Sequence, residues 1–213
     1  MLYTGNHYQS NLFSGKMFGM RGSGGRETGW GNPKPAPGTL ALVQDFVNTR
    51  NYFRGGELLG DVEEATVRLA EHGLLDRGER VEEAERLRLV AFREGLRGLL
   101  LAHNGVAGGE AGALDYIVSS AALRVRFGPD GRPDLEPVAE GELVERIVGR
   151  LLAEVVRAEA EGRWERLKAC HNEGCLWAFY DASKNRSGSW CNMNICGARH
   201  KMRAYRERKS GSR

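Results

Sequence analysis

The four cysteines of this chain lie within 27 residues, in the spacing Cys-x4-Cys-x15-Cys-x4-Cys; they are Cys170, Cys175, Cys191 and Cys196. Two close pairs separated by a loop of this length are typical of a tetrahedral four-thiolate zinc site. Each pair supplies two sulfurs from one tight turn, and the segment between the pairs folds back as a hairpin. A structural zinc ion also explains how a piece of about 45 residues can fold, because so short a segment seldom builds a sufficient core. The spacing therefore predicts one structural zinc ion.

Other uses of four clustered cysteines fit this sequence less well. Two disulfides would need an oxidising compartment, and no apolar secretory segment occurs in residues 1–38. Redox-active pairs normally have two intervening residues, and a catalytic zinc ion keeps one position open to water. His171 and His200 are alternative ligands. Because four sulfurs are present, we expect both histidines to face solvent or to contact neighbouring residues.

Basic residues follow each cysteine pair. The polar segment 183–189 carries two cations, and a helix is predicted from 197 to about 208. In this helix Ala198, Met202 and Tyr205 share a face that we expect to pack on the zinc core, beside a stripe of arginines. Guanidinium groups form paired hydrogen bonds with phosphates and guanine edges. The candidate nucleic-acid-binding residues are Lys184, Arg186, Arg199, Lys201, Arg203, Arg206 and Arg208. A solvated loop and helix end without a partner are the alternative.

The net charge of +3 is unevenly distributed along the chain. Residues 161–213 carry a net charge of +7, and residues 1–160 carry −4. An acidic body with a basic terminus suggests an anionic partner for that terminus, although a solvated basic end has the same composition. No apolar run approaches the roughly 18 residues that a membrane-spanning helix needs. We therefore expect a cytoplasmic protein that has no membrane partner.

The elements that must position these residues are mostly helices. Apolar residues at helical spacing predict five helices before the cysteines, the first beginning after Thr39 and the others at about 61–73, 81–103, 110–122 and 142–160. Thr39 and Asp61 are the expected N-caps, and Leu87, Ala91 and Val156 are among the residues expected to face the core. From Leu123 to Val138 the period changes to 2 around the turn 128–131, which predicts a hairpin.

Three segments follow from this pattern. Residues 1–38 are rich in glycine, proline and serine and are predicted to be a disordered arm. Residues 39–163 form a helical domain with a β-hairpin, and residues 164–209 form the zinc finger. The predicted fold class is therefore mostly α with a small β-hairpin (α+β), a helical N-terminal domain followed by a four-cysteine finger.

One dense polar cluster stands out in the helical domain; it comprises Asp45, Asn48, Thr49 and Arg50. These residues either line a pocket for a small-molecule effector or cap and tether helices. The sequence has no His-Glu-x-x-His motif, no nucleophile elbow and no metal-ligand cluster outside the cysteines. We therefore expect a binding protein and not an enzyme.

Both halves of the chain resemble known bacterial families. The stretch from Cys170 through Leu176-Trp-Ala-Phe-Tyr-Asp181 to Cys196-Gly-Ala-Arg199 resembles the CGNR zinc finger, named for a Cys-Gly-Asn-Arg motif. The segment 40–49, Leu-Ala-Leu-Val-Gln-Asp-Phe-Val-Asn-Thr, with 57–59 and 73–75, resembles the ABATE domain that commonly precedes this finger. Together the resemblance covers about residues 38–209. It departs from the motif at Ala198, which replaces asparagine, and at 188–189, where relatives usually carry arginine.

The resemblance implies a stress-induced transcriptional regulator with zinc on the four cysteines and a DNA-contacting C-terminus. Its helical domain would sense a ligand or mediate formation of a homodimer. Three alternatives remain: an RNA- or ribosome-associated protein in which Trp177 or Trp190 stacks on bases, a ligand-binding or enzymatic body with a purely structural finger, and a finger that docks an acidic protein.

Overall fold

The computed structural model describes residues 34–107 and 111–210. Within these ranges the α-helices are α1 (Leu40–Val47), α2 (Val62–Glu71), α3 (Glu83–Ala102), α4 (Ala111–Val118), α5 (Leu143–Ala160) and α6 (Ala198–Ser210). The strands form three antiparallel pairs, β1 (Arg50–Asn51) with β2 (Gly56–Glu57), β3 (Leu123–Phe127) with β4 (Pro133–Pro137), and β5 (Leu167–Ala169) with β6 (Ala178–Tyr180). The α+β class is therefore confirmed. Residues 1–33, most of the predicted arm, lie outside the described residues.

Helix ends follow local chemistry. The Asp61 carboxylate accepts a hydrogen bond from the Glu64 backbone at 2.8 Å, which caps α2 as predicted. Gly73, with φ of +65°, ends that helix. Thr39 precedes α1, but its hydroxyl contacts Glu154 of α5 and caps nothing, so that expectation was wrong. The fourth helix ends at Val118, earlier than predicted. No helix of the described residues is long and apolar enough to cross a membrane.

The core of the body lies between α1, α3 and α5. The buried stripe of α3 comprises Leu89, Phe92, Leu96 and Leu100. Leu87, with 53% of its surface exposed, and Ala91 face solvent, so their predicted burial was wrong. Val156 of α5 is likewise 42% exposed. The face of α3 is rotated because Arg93 and Arg97, which a hydrophobic pattern places outside, are both buried.

The hairpin and its turn were predicted, but Val138, expected on the return strand, lies just beyond β4. Val125 pairs with Leu135, and Gly131 in the turn has φ of +75°. β4 packs on α5, where a Cβ atom at Gly149 would stand 3.6 Å from Pro137. Phe127 is nevertheless 73% exposed. The hairpin is attached to α5 along β4, because Arg157 also pairs with Asp134 at 3.1 Å near the turn.

The sheet β5–β6, which belongs to the predicted finger, is part of the same core as the helical body. Leu167, Ala169 and Ala178 of β5 and β6 are fully buried in the cluster that contains α1, α3 and α5. Residues 34–38, predicted to belong to the arm, also pack here, because the Tyr180 amide donates to the carbonyl of Lys34 at 2.9 Å. The position of the finger is therefore determined by the body.

Candidate metal centre and basic helix

Two turns and the start of a helix bring the four cysteine sulfurs together. All four side chains are buried, and their Sγ atoms lie within 4.8 Å of one another. Cys191 Sγ is 3.6 Å from Cys175 Sγ and 3.8 Å from Cys196 Sγ. A disulfide needs about 2.05 Å, whereas sulfurs at about 2.3 Å around a tetrahedral zinc ion stand about 3.8 Å apart. The donor set and its spacing therefore fit zinc.

An asparagine organises each cysteine turn. In the first turn, Asn172 Oδ1 accepts a hydrogen bond from the Gly174 amide at 3.1 Å, and its carbonyl accepts from the Cys175 amide at 2.7 Å. In the second, Asn192 Oδ1 accepts from Asn194 and Ile195 at 2.9 and 3.2 Å. Such side-chain turns orient the backbone without a larger core. Sequence reasoning missed both residues, although an asparagine inside each four-residue gap was a usable signal.

The four cysteine thiols differ in pKa because they are buried and hydrogen-bond to one another. Hydrogen bonds from Cys175 and Cys191 lower the pKa of Cys170 to about 2. Donation to Cys170 raises the pKa of Cys175 to about 12 and raises that of Cys191 well above its usual value, and burial raises the pKa of Cys196. Four thiolates this close need a cation among them, because their mutual repulsion is otherwise too strong.

A buried arginine of α3 forms hydrogen bonds with the backbone beside the metal centre. Arg97 donates to the carbonyl oxygens of Val47 at 2.6 Å and of Leu176 at 2.8 Å, and to Glu94 at 2.9 Å. Leu176 directly follows Cys175 and has φ of +51°, a conformation that costs a non-glycine residue about 1–3 kcal/mol. The arginine therefore holds the backbone of the first cysteine turn in place.

A short π-helix, Met193–Gly197, joins the metal centre to α6, which extends into solvent. None of its residues is buried, and Met202 and Tyr205 are 53% and 56% exposed. The expectation that they pack with Ala198 on the zinc core is therefore wrong. That core consists of Trp177 and Phe179 together with the cysteines, and Trp190 and Ile195 pack against it.

The opposite face of α6 meets the protein instead. The His200 ring lies 4.9 Å from that of Trp190, and Ala204 is the one half-buried residue of the helix. A Cβ atom at Gly197 would stand 2.5 Å from Met193 Sδ and 3.3 Å from Trp190, which explains the glycine. The Arg199 guanidinium stacks 4.2 Å from the ring centre of Phe53. These contacts fix how α6 is presented.

Comparison with protein families agrees with this geometry. The model of the ABATE family, described as "Putative stress-induced transcription regulator", matches residues 40–161, more than half of the chain. The chain belongs to the ABATE family. The CGNR zinc finger matches residues 166–209, so the finger follows the ABATE domain in the expected order. No curated protein matches the sequence. The CGNR finger therefore holds one structural zinc ion on its four cysteines.

A buried ion pair shapes the loop between the cysteine pairs of the CGNR finger. Lys168 Nζ lies 3.0 Å from Asp181 Oδ2, and both side chains are buried. The Gly188 amide donates to the same carboxylate at 2.7 Å. A Cβ atom at Gly188 would stand 2.9 Å from three atoms of that carboxylate, so a side chain at this position would displace Asp181. Arg186, with φ of +50°, pairs with Glu165 at 3.4 Å.

The seven predicted basic residues occupy two places. Lys184 and Arg186 are exposed in the loop, and the other five are exposed on α6. Ala198, which replaces the asparagine of the CGNR motif, is exposed at the start of α6 and offers no polar group. The role of the seven basic residues in binding nucleic acid stays a prediction.

The polar cluster of the ABATE domain makes contacts inside the protein. Asn48 forms two hydrogen bonds with the backbone of Ala178, at 2.8 and 3.0 Å, and so ties α1 to β6. The Thr49 hydroxyl donates to the Phe46 carbonyl at 2.8 Å. Arg50 lies 3.8 Å from Glu57. Asp45 is half-buried, and burial raises its pKa. Tethering accounts for these contacts, and the effector pocket stays a prediction.

Neither Trp177 nor Trp190 is a free stacking platform. Trp177 is 8% exposed. The Trp190 ring is engaged by His171 at 5.4 Å, nearly parallel, and by His200. Both histidines are exposed and contact this ring, and the sulfur cluster does not include them.

Proposed function

We propose that this ABATE protein is a zinc-dependent DNA-binding transcription regulator that binds and does not catalyse, and that α6 is its DNA-contacting element. The observation that carries the proposal is a helix anchored at a rigid zinc centre with no residue buried along its length. Although His200 and Arg199 contact the protein, most of the helix surface adds no burial to the fold, so a contact outside the molecule accounts for its exposed residues.

The charge of α6 identifies the class of partner. Six of its 13 residues are lysine or arginine, and Glu207 is its one acid. Among the described residues, Lys201, Arg203 and Arg206 have no acidic partner within ion-pair distance. Exposed cations clustered on one helix are the electrostatic footprint of a phosphate backbone. The engagement of Trp190 by two imidazole rings favours duplex DNA over single-stranded RNA, which is recognised largely by stacking.

The test is a salt titration of zinc-loaded, full-length protein against labelled duplex DNA of random sequence. Each neutralised phosphate contributes about 0.9 to the slope of log K against log salt, so contact through four cations gives a slope near −4. Arg203→Gln with Arg206→Gln should reduce the slope by about two. Arg126→Gln with Arg132→Gln is the matched control, because both of these arginines are exposed on the hairpin of the body.

Equal loss of affinity in the two double variants would show that net charge alone matters and would contradict the assignment of α6. No salt-dependent binding by the wild-type protein at low salt would overturn the DNA-binding function itself. An acidic protein partner for the finger would then become the leading explanation.

A further inference from the structure

The exposed face of α6 carries an apolar strip. Ala198, Met202 and Tyr205 stand at i, i+4 and i+7, so they project in one direction along the helix. This direction is opposite to that of His200, which packs on Trp190. More than half of the surface of Met202 and Tyr205 is exposed. Large apolar side chains aligned on a helix that faces water indicate a surface that a partner covers.

Cations border the strip on both sides. At 3.6 residues per turn, one border consists of Arg203 and Arg206, preceded by Arg199 on the Phe53 ring, and the other of Lys201 and Arg208. The major groove of DNA admits an α-helix between two phosphate backbones, with base edges on its floor. An apolar strip between two rows of cations matches this cross-section, because the rows face the two backbones while the strip faces the bases.

We propose that α6 lies in the major groove and that Met202, with Tyr205 beside it, contacts the C5-methyl groups of thymines. The inference rests on the proposed function and adds a sequence preference to it. Charge argues against a second copy as the occupant, since two α6 helices joined strip to strip would bring their rows of cations together. The thymine methyl is the apolar group that the groove floor presents.

The experiment compares two versions of one DNA pool. A random duplex pool is enriched by several rounds of binding to the zinc-loaded full-length protein and is then copied with either thymine or uracil, which differ only in the methyl group. Wild-type protein should bind the thymine pool about fourfold more tightly for each contacted methyl group. Met202→Ala should lower the ratio of the two affinities by about fourfold for each methyl group that Met202 contacts, while leaving the salt slope unchanged.

Met193→Ala is the matched control, because Met193 is also exposed but precedes α6. This variant should keep the wild-type ratio. A ratio of one for the wild-type protein, with a steep salt slope, would overturn the proposed methyl contact and leave the DNA-binding function standing. Loss of self-association in Met202→Ala, measured by sedimentation, with an unchanged ratio, would instead assign the strip to a second copy. Absence of any salt-dependent binding would remove both proposals together.

Discussion

Replacing Arg97 with methionine removes three hydrogen bonds, of which one joins α3 to α1, one joins α3 to the metal centre and one lies within α3. The side chain is 2% exposed, and its guanidinium reaches Val47, Leu176 and Glu94 at 2.6 to 2.9 Å. Methionine fills much of the same volume but donates no hydrogen bond. The two carbonyl oxygens lose these donors, whereas Glu94 keeps its ion pair with Arg93 at 2.8 Å.

The expected loss of stability follows from these contacts. A buried carbonyl without its donor costs about 1–3 kcal/mol, and two are affected. The expected decrease in the free energy of unfolding is therefore about 2–6 kcal/mol, a range that includes the cost of breaking a buried ion pair. Arg88→Met on the same helix is the control: Arg88 is 38% exposed and lies 3.4 Å from Glu142. Such a surface pair contributes at most about 1 kcal/mol.

Urea unfolding followed by far-UV circular dichroism, at constant free zinc, measures both variants. Zinc release to a chromogenic chelator should also be faster in Arg97→Met, because the carbonyl of Leu176 beside Cys175 loses its brace. If the two variants unfold within 1 kcal/mol of each other and release zinc at the same rate, the reasoning about Arg97 fails.

Three further substitutions test other contacts. Cys191→Ser should release zinc and unfold the turns and α6 while α1 to α5 keep their helical signal, and one retained equivalent of zinc would contradict the ligand assignment. Asp181→Asn should cost about 3–5 kcal/mol, because Lys168 stays buried without its partner. Burial raises the pKa of Asp181, but hydrogen bonds from Ser183, Lys168 and Gly188 lower it by more, so the net shift is downward. The stabilisation by the ionised carboxylate is therefore complete above the unfolded pKa of about 3.9 and is lost as pH falls through the folded pKa. The cost should therefore be equal in urea titrations at pH 6 and pH 8, and a cost that halves at pH 6 would show that the carboxyl titrates there. Asn48→Ala should destabilise the protein by about 1–3 kcal/mol in the same assay, because it removes both hydrogen bonds to Ala178; an unchanged midpoint would show that α1 and β6 do not depend on it.

Local features were predictable from the sequence because their causes are local. The cysteine spacing determines which sulfurs can share a metal ion, and it identified all four ligands. Turn residues and the change of period located the hairpin and its turn. The cap at Asp61 depends on one side chain and the backbone three residues later. These features need no knowledge of what lies across the fold.

Features that depend on distant partners were missed or reversed. Arg97 belongs on the surface by polarity, and it is buried because α1 and the first cysteine turn offer carbonyl oxygens at the distance it can reach. Asn48 was recognised as notable, but its partner Ala178 stands 130 residues away. Hydrogen bonds of this range follow from the packing of the helices and have no local pattern.

The sequence by itself determined that one zinc ion holds a finger behind a helical body, and that Ala198, Met202 and Tyr205 share a face of the last helix. Only the tertiary structure decided where that face points. A periodic pattern states which residues lie together but not which surface they meet. In this protein Trp177 and Phe179 already occupy the finger core, and the Trp190 ring packs against His200. The apolar face of α6 is therefore exposed to solvent.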